Sequence, residues 1–189
     1  MQSVRELAEG VEVLNTRGEG GAFDRVVVST QANQLGFLDT PWRREQSLMQ
    51  GIRFEHGELW VHTDTRFLPA RRSDWSALNY SISRDLSQAM FSVWVNAVEP
   101  SLQNAAPILQ TWNPLFPPAD DHVIARVPLA RAVVHRGTQD VHEQLHALHA
   151  EAGRRVFFCG SWAHAGVPLL ESAVRSAQAV AALIPAAKT

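Results

Sequence analysis

RRVFFCGSW (residues 154–162) runs, after a short loop, into GVPLLESAVRSAQAVAALI (residues 166–184). The first stretch is a short unbroken apolar run ending at Gly160, the pattern of a strand covered on both faces. The second has helical spacing, but the face it presents is small: Ala173, Ser176, Ala177 and Val180. A strand, a glycine turn and a helix with so slender a face predict close helix-on-sheet packing. Gly160 lets a backbone approach a ligand with no side chain between them, and the free N–H groups of the helix start point back at that turn.

The first 30 residues read as short strands. VEVLN (11–15) leads through TRGEGG into FDRVVVST (23–30), whose Val26-Val27-Val28 run again suits a parallel sheet. Thr40-Pro41 reads as cap plus first-turn proline of a helix closed by Gly51. From residue 52 the pattern changes to β-type segments, ELWVHTD, LNYSIS, MFSVWVN and ILQTWN, separated by turn-rich pieces such as PARRSD and NPLFPPADD. This predicts an antiparallel sheet. A helix opening at Thr138 carries Val141, Leu145 and Leu148 on one face and ends near Gly153. The fold class expected is α/β with α+β: residues 1–51 and 152–189 form one part, and residues 52–151, connecting helix included, an antiparallel β domain.

Composition narrows the function classes. The 189 residues carry a formal net charge of −2, which gives no footprint for nucleic acid or anionic lipid. The one cysteine, Cys159, excludes an internal disulfide framework and fits a reducing compartment. MQSVRELAEG is charged and broken by Gly10, unlike a signal peptide, and no apolar run reaches the roughly 18 residues of a membrane span. A cytoplasmic location is the expectation. The six tryptophans either fill a β-rich core or line a cavity.

His142-Glu143-Gln144-Leu145-His146 matches the zinc-peptidase pattern HExxH, in which two histidines one helical turn apart bind metal and the glutamate activates water. The longer metal-protease pattern would need Gly at position 149 and His at 152, where this chain has His149 and Ala152. Glu171 is available as a third ligand only on the closing helix. The expected reading is a solvated connector helix with three exposed histidines and no metal; a zinc hydrolase is the alternative.

VFFCGSW and LLESAVRSAQAVAAL together resemble the C-terminal signature of the FAD-dependent amine oxidase superfamily. Glu171, Ala173, Val174 and Ser176 match it, while Ser172 and Ala177 stand where glycine is usual. DRVVVSTQANQ, the block VHTDTRFLPARRSDWSALNY (61–80) and WNP (112–114) are similar to one branch, the bacterial predicted NAD/FAD-binding proteins related to amine oxidases and phytoene desaturases. The resemblance covers residues 5–184.

It implies the C-terminal part of a Rossmann-like FAD-binding domain flanking an antiparallel-sheet substrate domain whose floor faces the flavin. The implied cofactor is FAD, held by Ser29, Thr30, Cys159, Gly160, Ser161, Trp162, Leu170, Glu171, Ser172, Ala173 and Val174. The implied substrate pocket comprises His62, Asn79, Tyr80, Trp94 and Trp112, with no catalytic residue assigned. The activity implied is hydride transfer from a C–N or C–C centre of a small-molecule substrate to FAD. A GxGxxG strand–turn–helix, which cradles the diphosphate in such enzymes, is absent. Its nearest approach, Gly18-Glu19-Gly20-Gly21, reads as a hairpin turn. Glu58 stands where many amine oxidases have a lysine, and Ser161 replaces an acidic or small residue. The expectation is therefore a chain whose N-terminal FAD-binding half is supplied in cis or by a separate subunit. Alone it would hold FAD weakly and tend to form homodimers; a non-catalytic partner module completing another subunit's flavin site is the other possibility.

Overall fold

A computed structural model of the protein describes residues 1–184. In chain order the elements are β1 (Ser3–Leu7), β2 (Gly10–Leu14), β3 (Gly20–Phe23), β4 (Val26–Val28), α1 (Arg43–Met49), β5 (Arg53–His62), β6 (Leu78–Ile82), β7 (Ala89–Trp94), β8 (Leu109–Trp112), β9 (Val123–Val133), α2 (Thr138–His149), β10 (Val156–Phe158) and α3 (Leu170–Leu183). They form a mixed α/β chain with two antiparallel sheets and one short parallel pair. Two compact units divide it: residues 1–54 with the described residues from 132 onward, and residues 55–131. No helix among the described residues is long and apolar enough to cross a membrane.

In the first unit, β1, β2 and β3 form an antiparallel meander. Of the Gly18–Gly21 stretch, Gly18 and Glu19 lie in the turn between β2 and β3, while Gly20 and Gly21 already pair in β3 opposite Leu14 and Val13. A Cβ on Gly20 would fall 1.8 Å from the Val13 carbonyl oxygen, so only glycine fits there. β4 pairs with β10 in parallel, Val27 opposite Phe157. All three residues of β10 are buried because each side has its own cover. Val156 and Phe158 join Val28, Leu145 and Leu148 in the main core, while Phe157 packs with Cys159 and Val180. Val27, by contrast, is 44% exposed, so the expected two-sided cover of β4 is incomplete.

Three sequence expectations need correction here. The cap of the first helical segment is Asp39, whose carboxylate accepts the Thr40 N–H at 3.3 Å, and a 3₁₀ turn at Thr40–Trp42 precedes α1. α2, grouped with residues 52–151 on sequence, belongs to the first unit because Val141, Leu145 and Leu148 pack in its core. Its histidines are also not all solvated. His149 is buried and accepts the Phe158 N–H at 3.0 Å through Nε2.

The second unit is a five-stranded sheet in the order β6-β7-β8-β5-β9. One face is covered by Phe67, Leu68, Trp75 and Leu115, which pack with Met90, Trp94 and Leu109. Asp64 organises that cover. Its carboxylate accepts the backbone N–H groups of Arg66 (3.1 Å) and Ala119 (3.0 Å) and pairs with the Arg66 guanidinium at 2.5 Å. The Arg66 hydrogen bonds hold its pKa well below the usual carboxylate range, burial opposing them.

Candidate functional site: the glycine turn and the start of the last helix

The turn after β10 is tied down from three sides. Cys159 N–H donates to the Val28 carbonyl at 3.0 Å, continuing the parallel ladder one residue beyond β10. Gly160 takes φ +146°, a backbone state that L side chains rarely adopt. Its N–H donates to Ser176 Oγ on α3 at 2.9 Å; the same hydroxyl lies 3.0 Å from the Gly160 carbonyl and 2.8 Å from that of Ala173. Trp162 then folds back over the turn, its Nε1–H donating to the Thr30 carbonyl at 3.0 Å. His142 Nε2 donates to the Trp162 carbonyl at 2.8 Å, so the histidine of the HExxH pattern serves the turn.

The demand for glycine at 160 therefore has a local cause. A Cβ there would sit 2.8 Å from Trp162 Nε1, so the space over Gly160 holds this chain's own indole. The small face of α3 likewise reflects close packing. The buried positions are Ser172, Ser176 and Val180, spaced four apart. Ala177, expected on that face, is exposed, because a helix repeating every 3.6 residues turns it away.

The start of α3 is different in character. Leu169 stands at the cap position and no side chain caps the helix, while Ser172 Oγ donates back to the Val167 carbonyl at 2.8 Å. The amides of Leu170, Glu171 and Ser172 thus have no acceptor within the helix. Around them Val167, Leu169, Leu170 and Val174 are exposed, Leu170 at 82%. Glu171 is also exposed and is engaged by Arg175 at 2.8 Å.

Of the residues assigned to a cofactor on sequence, the structure gathers Thr30, Cys159, Gly160, Ser161 and Trp162 at the turn. Ala173 links to it through Ser176. Ser29, Leu170, Glu171 and Val174 face solvent, whereas Cys159, Trp162 and Ser172 are buried. Burial pushes the Cys159 thiol pKa up, which makes it a packing group rather than a nucleophile.

The five substrate-pocket candidates do not share one face of their sheet. In register, Asn79, Ser92, Thr111 and Trp60 form one row, and Tyr80, Phe91, Trp112 and Leu59 the next. Since successive residues alternate sides, His62, Asn79 and Trp94 lie on one face, Tyr80 and Trp112 on the other. His62 is fully buried. Its Nδ1 accepts the Asp64 N–H at 3.2 Å, which leaves the proton on Nε2, 2.8 Å from Thr111 Oγ1. Thr111 in turn lies 2.7 Å from Ser92 Oγ. This is a closed structural chain, and burial lowers the histidine's pKa. Asn79 closes a local turn with Ser76, and Trp94 packs edge-on against Trp75. Trp112 lies under the Arg131 guanidinium, 5.1 Å from the ring centre. A hollow of about 690 Å3 in this unit is lined by Trp60, Gln88, Trp112, Asn113 and Phe116, and of the five candidates it includes Trp112 alone.

The first unit has a hollow of about 720 Å3 along α2, bordered by His135, His142, Glu143, His146 and Gly166. Among the described residues, no group of three or more His, Cys, Asp or Glu side chains is placed to hold a metal ion. No protein-family model matches the chain, and no curated protein matches it.

Sequence reasoning did not single out Ser176 as the tie to Gly160, nor Trp162 as the filler above it. The only signal for the second was an indole two residues after a glycine.

Proposed function

We propose that the chain is the C-terminal portion of a FAD-dependent oxidoreductase of the amine oxidase type, with its flavin seat at the start of α3. One observation carries this reading: an uncapped helix N-terminus ringed by exposed Val167, Leu169, Leu170 and Val174. Unpaired amides at the positive end of a helix favour an electron-rich ligand edge, and the apolar rim suits a flat ring. The fit is to the helix start rather than to the turn itself, since Trp162 already occupies the space above Gly160.

When bound, FAD would supply the redox chemistry, accepting a hydride from a C–N or C–C centre. This chain's residues would orient the ring edge and shield it. Ser176 would hold α3 at a fixed distance from the Gly160 turn, and Trp162 would wall its inner side.

On this reading, β4 and β10 are the end of a Rossmann-like parallel sheet whose N-terminal half lies in cis or on a separate subunit. The ladder supports it. The hydrogen bonds Val26 N–H to Arg155 and Cys159 N–H to Val28 leave the N–H and C=O of Val27 pointing away from β10. The far edge of β10 is closed instead, by His149 on the Phe158 N–H and by Arg154 Nε on the Val156 carbonyl at 2.8 Å. Among the described residues, this two-stranded parallel sheet is open on the β4 side and sealed on the β10 side, which accommodates growth at β4.

The test is a pair of acidic substitutions in a complex reconstituted with an N-terminal half carrying GxGxxG. Leu170→Asp puts a charge where the ring edge would lie, on a side chain too exposed to matter for folding. Gln178→Glu makes a similar change on an exposed position two turns on. Loss of flavin absorbance in the first and retention in the second supports the seat. Equal retention in both removes it.

A further inference from the structure

The two edges of the five-stranded sheet are built differently. β9 carries Arg126, Pro128 and Arg131, the residues that discourage strand addition. β6 is LNYSI, with no charge and no proline. Ala77 accepts the Trp94 N–H and Ser83 donates to the Gln88 carbonyl, both at 2.9 Å, so the odd-numbered residues of this strand face β7. The N–H and C=O groups of Leu78, Tyr80 and Ile82 therefore point outward. The Leu78 carbonyl takes the Ser76 hydroxyl at 2.7 Å and keeps a second lone pair. The side chains of these three residues lie on one face and are exposed, Tyr80 at 69% and Ile82 at 61%.

The geometry points to β6 as a self-complementary edge that pairs antiparallel with β6 of a second copy of this chain, about a two-fold axis at Tyr80. This goes beyond the flavin reading and does not depend on it. Centred on Tyr80, the register sets Tyr80 against the partner's Tyr80 and Leu78 against the partner's Ile82. The outward backbone groups then meet as hydrogen-bonded pairs, which is the phase the strand presents. The nearest charged side chain, Arg84, falls opposite the partner's Ser76, so no like charges meet. The apolar row continues across β7 through Val93 and Phe91, with Tyr80 and Phe91 ring centres 6.0 Å apart. The joined sheets would share one apolar face, and the contact is closed and isologous.

The experiment is light-scattering mass measurement on the full chain over a concentration series. It is run for wild type and Tyr80→Lys, with oxidative cross-linking of Tyr80→Cys and Leu78→Cys. Wild type should reach twice the 20.9 kDa chain mass. Tyr80→Lys, which sets two ammonium groups on the axis, should stay monomeric with an unchanged circular dichroism spectrum. The two thiols that Tyr80→Cys brings to the axis lie on residues about 5.5 Å apart at Cα, within disulfide reach, and should link. Leu78→Cys alone should not, but should link to Ile82→Cys when the two are mixed. A wild-type monomer at every concentration, a dimer undisturbed by Tyr80→Lys, or linking at Leu78→Cys as fast as at Tyr80→Cys would each overturn the proposal.

Discussion

Ser176 Oγ accepts the Gly160 N–H at 2.9 Å, and this bond fixes the last helix to the end of the parallel strand pair. Ser176→Ala leaves that amide unpaired and should cost about 1–2 kcal/mol of unfolding free energy. Ser176→Leu should cost more, by overpacking a contact built for a small side chain. Urea denaturation of the two variants against wild type measures both, and a cost for Leu below that for Ala would contradict the packing account.

Gly160→Ala tests the indole above the turn. The added methyl meets Trp162 Nε1 at 2.8 Å on a backbone at φ +146°, so about 1–3 kcal/mol of destabilisation is expected. Part of it should vanish in a Trp162→Phe background, because the six-membered ring reaches less far. A double-mutant cycle reads this as a coupling energy, and simple additivity would place the strain elsewhere.

His149 predicts acid sensitivity. Burial, then the charges of Arg154 and His146, hold its pKa at about 4 against an ordinary 6.5. Between these values the unfolded chain binds the proton and the folded chain does not, so stability rises with pH across that window. The contribution is complete above about 6.5 and is lost as pH falls toward 4. His149→Gln, which keeps an acceptor for the Phe158 N–H, should flatten the slope of unfolding free energy between pH 4 and 6.5; an unchanged slope assigns it to other groups.

The two histidines of HExxH should separate. His142 donates to the Trp162 carbonyl, so His142→Ala is expected to cost about 1 kcal/mol. His146 is exposed, and its replacement should stay within about 0.5 kcal/mol. Bound zinc at one equivalent, lost in both variants, would instead revive the hydrolase reading.

Arg154 and Glu45 form a buried pair at 2.7 Å, with Glu151 3.5 Å from the same guanidinium. Glu45→Gln leaves a buried cation short of its nearest counter-charge and should cost about 3 kcal/mol. The same substitution at exposed Glu171, which pairs with Arg175, should cost no more than about 0.5 kcal/mol. Thermal denaturation of the two variants makes the comparison.

Most strands were legible because their signals are local. The Val26–Val28 and Val156–Phe158 runs and the alternation in MFSVWV need only neighbouring residues to be read. The ties between elements were not legible, since each joins residues separated in sequence: Ser176 to Gly160, Trp162 to Thr30, His149 to Phe158. That the substrate-pocket candidates divide between two faces was hidden for a related reason. Composition can nominate Tyr80 and Trp94 as aromatic pocket residues, but only the strand register assigns them to opposite faces. The distinctive HTDTRFLP block is accounted for by the Asp64-centred turn that covers the sheet, which in sequence resembled a family mark and nothing more specific.

Amide chemical-shift mapping of the isotopically labelled chain, titrated with FAD, is the decisive measurement for a flavin seat at the start of the last helix. Weak binding suffices, because shifts report the site even when little complex forms. Saturable shifts are expected at the amides of Leu170, Glu171 and Ser172, with smaller ones at Gly160 and Trp162. Shifts confined to other surfaces, or none up to millimolar FAD, would contradict it.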